Sequence, residues 1–351
     1  MKEIHTFIPE IISAHFDEAA YLYSEFLTEV KALTQAPVYL KDVVARMEAN
    51  LEGLTINATA ASEFCCAALE GEDAGEFFVA SYLSFHSGEL ARIKPLVETA
   101  QSSTSLLEAV AYGLTWHKWE LCGFWAAKFI SAKQTAMAAI GLFCFNTYQK
   151  PLPIRFDDLL KRALGEVEPV ALPLLLAIAQ KNKDVTLLPI LQQENNLDAL
   201  GELQFEQLKT RLKLGDQSAL VDLKKFVLND NAYRDSALEL AFSQLEKNDA
   251  KQWIAALKQT KNAERYVLLA VGILNEQILL PWVVKQMQEP ALARIAGKVF
   301  SQLSGHNLRK NGWIMESDVL DEQWLAFEGD EDLDWPDVVK ITEVMGLELS
   351  Q

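Results

Sequence analysis

The chain has 351 residues, 50% of them hydrophobic and 23% charged, with 16 Gly, 11 Pro and a formal net charge of −17. That apolar fraction is far above a disordered chain's, and so little Gly and Pro excludes collagen-like, low-complexity and turn-dense all-β architectures. No run of about 18 apolar residues offers a membrane span, and Met1 to Phe7 lacks the basic and apolar stretches of a secretory leader, so a cytoplasmic protein without a membrane partner is expected.

The first helix is expected over Ser13 to Val30. Phe16, Ala19, Ala20, Tyr23, Phe26, Leu27 and Val30 recur at three- and four-residue steps, with Asp17, Glu18, Glu25 and Glu29 on the other side. Pro37 breaks it. A second amphipathic stretch, Leu40 to Leu51, is expected to stop at Gly53. Further helices are expected over Ala58 to Leu69, Glu76 to Phe85 and Glu89 to Thr99, separated by Gly71, Gly75 and Gly88. Ser105-Leu106-Leu107-Glu108 has the spacing of a capping box and reads as a helix start. No segment alternates apolar and polar residues long enough for a strand.

From about residue 134 the chain becomes periodic. Segments beginning at Gln134, Val167, Ala199, Asn231, Asn262 and Ala291 recur at roughly 30 residues, the size of a helical-hairpin repeat. Each opens an Ala/Leu-rich helix and passes a polar break (Lys181 to Asp184, Gly215-Asp216, Lys247 to Asp249). A second helix then follows, as in Ser218 to Leu228, Gln252 to Leu257 and Pro281 to Met287. Such units cannot bury their apolar faces alone and must stack. The expected fold is all-α, an α-solenoid of HEAT-like two-helix repeats. Its expected parts are an N-terminal helical region (1–133) continuous with the solenoid, the repeat array (134–310) and an acidic, Trp-containing C-terminal cap or tail (311–351).

Three repeats place arginine at one phase: Arg234, Arg265 and Arg294. A column of this kind is either a structural ladder, each arginine bonding carbonyls or acids of a neighbouring repeat, or an anion-binding stripe. In the tail, Trp313 and Trp324 are expected to pack on the last repeat, with Gly329 to Asp334 as a solvated loop able to meet a basic partner.

Charge is uneven. Residues 1–150 hold 18 acids and 10 bases, residues 151–310 hold 19 and 21, and residues 311–351 hold 12 and one. Contact with phosphates needs a Lys/Arg excess, so no nucleic-acid partner is expected. Cys65, Cys66, Cys122 and Cys144 lack metal-ligand spacing and read as buried free thiols. His5, His15, His86, His117 and His306 are scattered, and His117 between Trp116 and Trp119 reads as packed. None of the phosphate-loop, dinucleotide, hydrolase-elbow or zinc-protease motifs occurs. No catalytic, cofactor-binding or metal-binding residue is expected, and the protein is read as no enzyme.

Leu51-Glu52-Gly53-Leu54, Ala67-Ala68-Leu69-Glu70-Gly71 and Gly75-Glu76-Phe77-Phe78-Val79-Ala80 resemble the N-terminal pattern of a proteobacterial family of HEAT-like α-solenoid proteins. Pro290 to Phe300, with Ala293-Arg294-Ile295-Ala296-Gly297 at its centre, and then Leu303-Ser304-Gly305, resemble its C-terminal stretch. Trp335-Pro336-Asp337 matches an element near the family's end. The family is encoded near type VI secretion genes. The resemblance therefore implies a protein-binding accessory of that system, an effector adaptor or chaperone, or an immunity protein against a toxin. Acidic ends favour a basic client, a secretion effector or its carrier. Candidate partner-binding residues are Asp330, Glu331, Asp332 and Trp335, with Arg234, Arg265 and Arg294. Two alternatives stand beside this reading. A HEAT-like DNA glycosylase would need a basic concave face lined by Arg234 and Arg265, and a homo-oligomeric scaffold would self-associate.

Overall fold

A computed structural model of the chain describes residues 8–31, 37–193, 197–315, 330 and 332–346. The described residues are helical throughout, without a strand; one isolated antiparallel bridge joins Ile314 and Pro336. Among them no helix is long and apolar enough to cross a membrane. The chain divides into two compact units, Met1–Asn196 and Leu197–Gln351. Residues 133/134 lie inside the first unit and 310/311 inside the second.

The first unit opens with α1 (Pro9–Lys31) and α2 (Pro37–Ile56). Most of the stripe read from the sequence is buried in α1: Phe16, Ala19, Ala20, Tyr23 and Phe26 face inward, while Leu27 and Val30 are only half-buried, and Ile12 and Leu22, outside that stripe, are buried. Pro37 begins α2 because the first helical position needs no intrahelical N–H. The helix runs on through Gly53, where a stop was expected; the His15 ring of α1 lies directly over that glycine. Next come α3 (Ala58–Ala68), α4 (Ala74–Ser87), α5 (Leu90–Ala100) and α6 (Thr104–Thr115). Asp73 caps α4, its Oδ1 accepting from the Glu76 N–H at 2.8 Å, and Gly88 ends it with φ of 70°.

The expected capping box at Ser105 is not formed. Ser103 is the flanking residue, Ser105 lies within the first turn, and Glu108 turns inward to accept from Lys31 Nζ at 2.7 Å. The unit continues with α7 (Trp119–Ile130), α8 (Thr135–Thr147), α9 (Phe156–Leu164), α10 (Leu172–Asn182) and α11 (Leu188–Leu191). α7 and α8 pack on one another. Their backbones approach so closely at Gly141 that a Cβ there would run into the Ile130 N–H and the Ala126 carbonyl.

The second unit contains α12 (Glu202–Lys213), α13 (Ala219–Leu228), α14 (Arg234–Phe242), α15 (Lys247–Leu257), α16 (Ala263–Ile273), α17 (Leu280–Gln286), α18 (Ala293–Ser304) and α19 (Val338–Met345). The periodic segment starts precede α12, α14, α16 and α18 by a few residues each. The Gly215-Asp216 break is a turn in which Asp216 accepts from Arg211 Nε at 2.8 Å and from the Ser218 N–H at 3.1 Å. Lys247 to Asp249 is no break but the first turn of α15. Leu223, Phe226, Leu238, Trp253, Leu268, Val283, Val299 and Phe300 form one core, which Trp313 and Ile341 join from beyond residue 310. Burial of those two side chains ties the C-terminal segment into the unit.

Candidate partner-binding site

Each arginine of the expected column begins or nearly begins its helix, α14, α16 or α18, and each is turned into the second unit. Arg234 is only 3% exposed. Its Nε donates to the Val227 carbonyl at 2.9 Å and its Nη2 to Thr260 Oγ1 at 2.8 Å, while its guanidinium lies 3.6 Å from the centre of the Tyr266 ring. Arg265, also buried, forks to Asp235 (2.9 and 2.8 Å) and to Asp330 (3.0 and 2.9 Å). Burial works against its charge, and the bonds to Asp330 and Asp235 outweigh it, holding the guanidinium protonated. Arg294 donates to the Leu333 carbonyl at 3.2 Å and stands 5.3 Å from the centre of the Trp335 ring. The three form a continuous ladder whose partners are carbonyls, acids and rings of this same unit.

That arrangement corrects the expectation of a solvated loop at Asp330, which is 3% exposed and clamped by Arg265. Trp335 is buried as well, so neither side chain is offered to solvent. Asp332 is exposed. Glu331 and Trp324 lie outside the described residues. Trp313 is buried, its ring 6.3 Å from that of Phe300.

Two stretches that carried the family resemblance meet here. A Cβ on Gly297 would lie 3.2 Å from Pro336, and Arg294 stacks on Trp335, so Ala293 to Gly297 and Trp335 to Asp337 pack on one another.

Beside the ladder, an open groove of about 480 Å³ is lined by Asn262, Glu264, Arg265, Gln286, Glu289 and Leu292. Glu264 and Glu289 are exposed, whereas the Arg265 guanidinium is committed to its two carboxylates. The groove thus presents acid and amide groups over a small apolar floor. Such a lining suits a basic or amide-rich peptide segment and holds no nucleophile paired with a base. Sequence reading missed Glu264, in the first turn of α16, and Glu289, in the connection between α17 and α18, because an isolated glutamate carries no pattern.

The first unit holds His117 and the four cysteines. His117 is buried; its Nε2 bonds the Tyr82 carbonyl at 2.9 Å and its ring stacks on Tyr82 at 4.3 Å. Burial pushes its pKa down to about 4. Cys65, Cys122 and Cys144 are buried, whereas Cys66 is exposed. Burial raises the Cys65 thiol to about 12, and burial together with a hydrogen bond to Cys122 raises Cys144, which keeps both as thiols. Among the described residues no group of three or more His, Cys, Asp and Glu is placed to hold a metal ion.

Comparison of the chain with protein-family models, with curated proteins and with solved structures found no match in any of the three.

Proposed function

We propose that the chain is a non-enzymatic, protein-binding α-solenoid of HEAT-like repeats, closed by its C-terminal segment. We further propose that it serves type VI secretion, holding an effector or its carrier as an adaptor or chaperone, or neutralising a toxin as an immunity protein. The cytoplasm is its proposed location. The observation that carries the protein-binding reading is the groove beside the arginine ladder, where Glu264 and Glu289 face solvent while Arg265 is neutralised within the fold. A groove with that charge favours a basic client and speeds its encounter. The secretion assignment rests on the family resemblance of Pro290 to Phe300 and Trp335 to Asp337. The glycosylase reading is weakened, because Arg234 and Arg265 are bonded internally and leave no basic face between them.

The test is charge reversal in the groove. Glu264→Lys and Glu289→Lys together are expected to lower capture of the stoichiometric client from native cells at least tenfold relative to the wild-type chain. Undiminished capture would remove the groove from the account.

A further inference from the structure

We infer that the outer face of the α1–α2 hairpin docks a basic amphipathic helix of a partner protein, apolar side chains against Ile11, Tyr21 and Ile56 and lysines or arginines against the flanking carboxylates. The inference rests on the protein-binding reading above and concerns a different surface.

The two helices run antiparallel. Tyr39 Oη donates to Glu25, Arg46 pairs with Glu18, and His15 Nδ1 bonds Asn50 Oδ1 at 2.8 Å, so positions rising along α1 meet positions falling along α2. Ile11 and Ile56 therefore fall at the same end of the hairpin. Both helices already bury a full apolar face on the other side, with Phe16, Tyr23, Val43 and Met47. Ile11, Tyr21 and Ile56 are nevertheless 51%, 58% and 77% exposed. A lone exposed hydrophobe is ordinary; here three large ones share one hairpin with the exposed acids Glu10, Asp17, Glu48 and Glu52, the combination of apolar anchors and carboxylates that a cationic amphipathic helix complements. Ten residues separate Ile11 from Tyr21, about 15 Å along the axis and about 80° around it. A docked helix spans that length with anchors on one stripe. Ala14 and Ala49, both exposed, leave the space between the anchors shallow.

Charge decides the occupant. Together α1 and α2 carry eight carboxylates against three basic side chains. A second copy of this hairpin would bring the same excess and be repelled, whereas a cationic helix meets acids along both edges.

The probe is a fluorescent 18-residue Leu/Lys amphipathic peptide, titrated into the full chain at low and high salt. The control peptide has every Lys replaced by Glu. The variant is Ile11→Ser/Tyr21→Ser/Ile56→Ser, which alters only exposed positions and leaves the net charge untouched. The wild-type chain is expected to bind the Leu/Lys peptide, to lose affinity with salt, and to bind the Leu/Glu peptide at least tenfold more weakly. The triple variant is expected to bind the Leu/Lys peptide at least tenfold more weakly than wild type. Equal affinity of variant and wild type overturns the inference, because general acidity then accounts for the binding. Overturning it equally are equal affinity for the two peptides and a wild-type dimer in sedimentation that the variant lacks. Should no native client exist while the peptide results hold, the protein-binding function fails and the surface stands. A native client held equally by variant and wild type removes the surface and leaves the function.

Discussion

Arg265 accepts opposing demands from burial and from two carboxylates, and the geometry shows which prevails: four charge-assisted bonds hold the cation in place. Deleting one partner of a buried pair costs about 3–5 kcal/mol where no counter-charge remains; Arg265 would keep Asp235, so the loss of the Asp330 charge falls below that. Asp330→Asn is therefore expected to lower unfolding stability in urea by a few kcal/mol, while Asp332→Asn, at an exposed site, moves it by less than about 0.5 kcal/mol. Equal effects would contradict the clamp. Tyr23 shows the opposite case. Its ring stacks on Phe78 at 4.4 Å, yet its buried hydroxyl has no hydrogen-bond partner among the described residues. Tyr23→Phe is expected to leave stability unchanged or to raise it by about 1 kcal/mol, read as the urea midpoint. A drop of that size would mean that the hydroxyl is satisfied. For His117, a folded pKa of about 4 lies below the ordinary value of about 6.5. The unfolded chain takes up the proton first. The contribution of the neutral ring is thus complete above about pH 6.5 and is lost as pH falls toward 4, by up to about 1.4 kcal/mol per pH unit. The difference in stability between wild type and His117→Gln is expected to shrink over that interval; a difference independent of pH would sink the assignment.

At the level of elements, close approach governs the first unit. At Gly75 a Cβ would run into the Ala20 carbonyl, so α4 touches the backbone of α1. Gly75→Ala is expected to destabilise the chain by about 1–3 kcal/mol through overpacking, seen as a lower melting temperature; an unchanged one would mean that the two helices separate freely. The helices themselves were legible where a pattern repeats. The starts of α12, α14, α16 and α18 follow from Ala/Leu-rich segments at a fixed period, and the buried stripe of α1 follows from its spacing. Local signals failed where a distant residue decides. Ser105 and Glu108 have capping spacing, but Lys31, 77 positions away, draws Glu108 inward. Asp330 reads as solvated in a run of acids, and its burial depends on Arg265, 65 positions earlier. The column of arginines could be read from the sequence; the direction in which it faces could not, since that depends on carbonyls and rings with no sequence signature.

For the whole molecule, the acid excess lies at the two ends of the chain, while residues 151–310, from which the groove is built, hold 19 acids and 21 bases, so the groove's acidity is local to Glu264 and Glu289. The chain carries −17, three arginines in the first turns of α14, α16 and α18 are bonded within the second unit, and the groove beside them faces solvent with glutamates. A protein client of opposite charge satisfies these features together, and binding to it is expected to weaken as salt screens the attraction. Native mass spectrometry of the tagged chain purified from its own cells tests this most directly. The account predicts one basic protein bound at fixed stoichiometry and released by salt. Co-purifying nucleic acid, or a chain that emerges alone or bound only to itself, would contradict it.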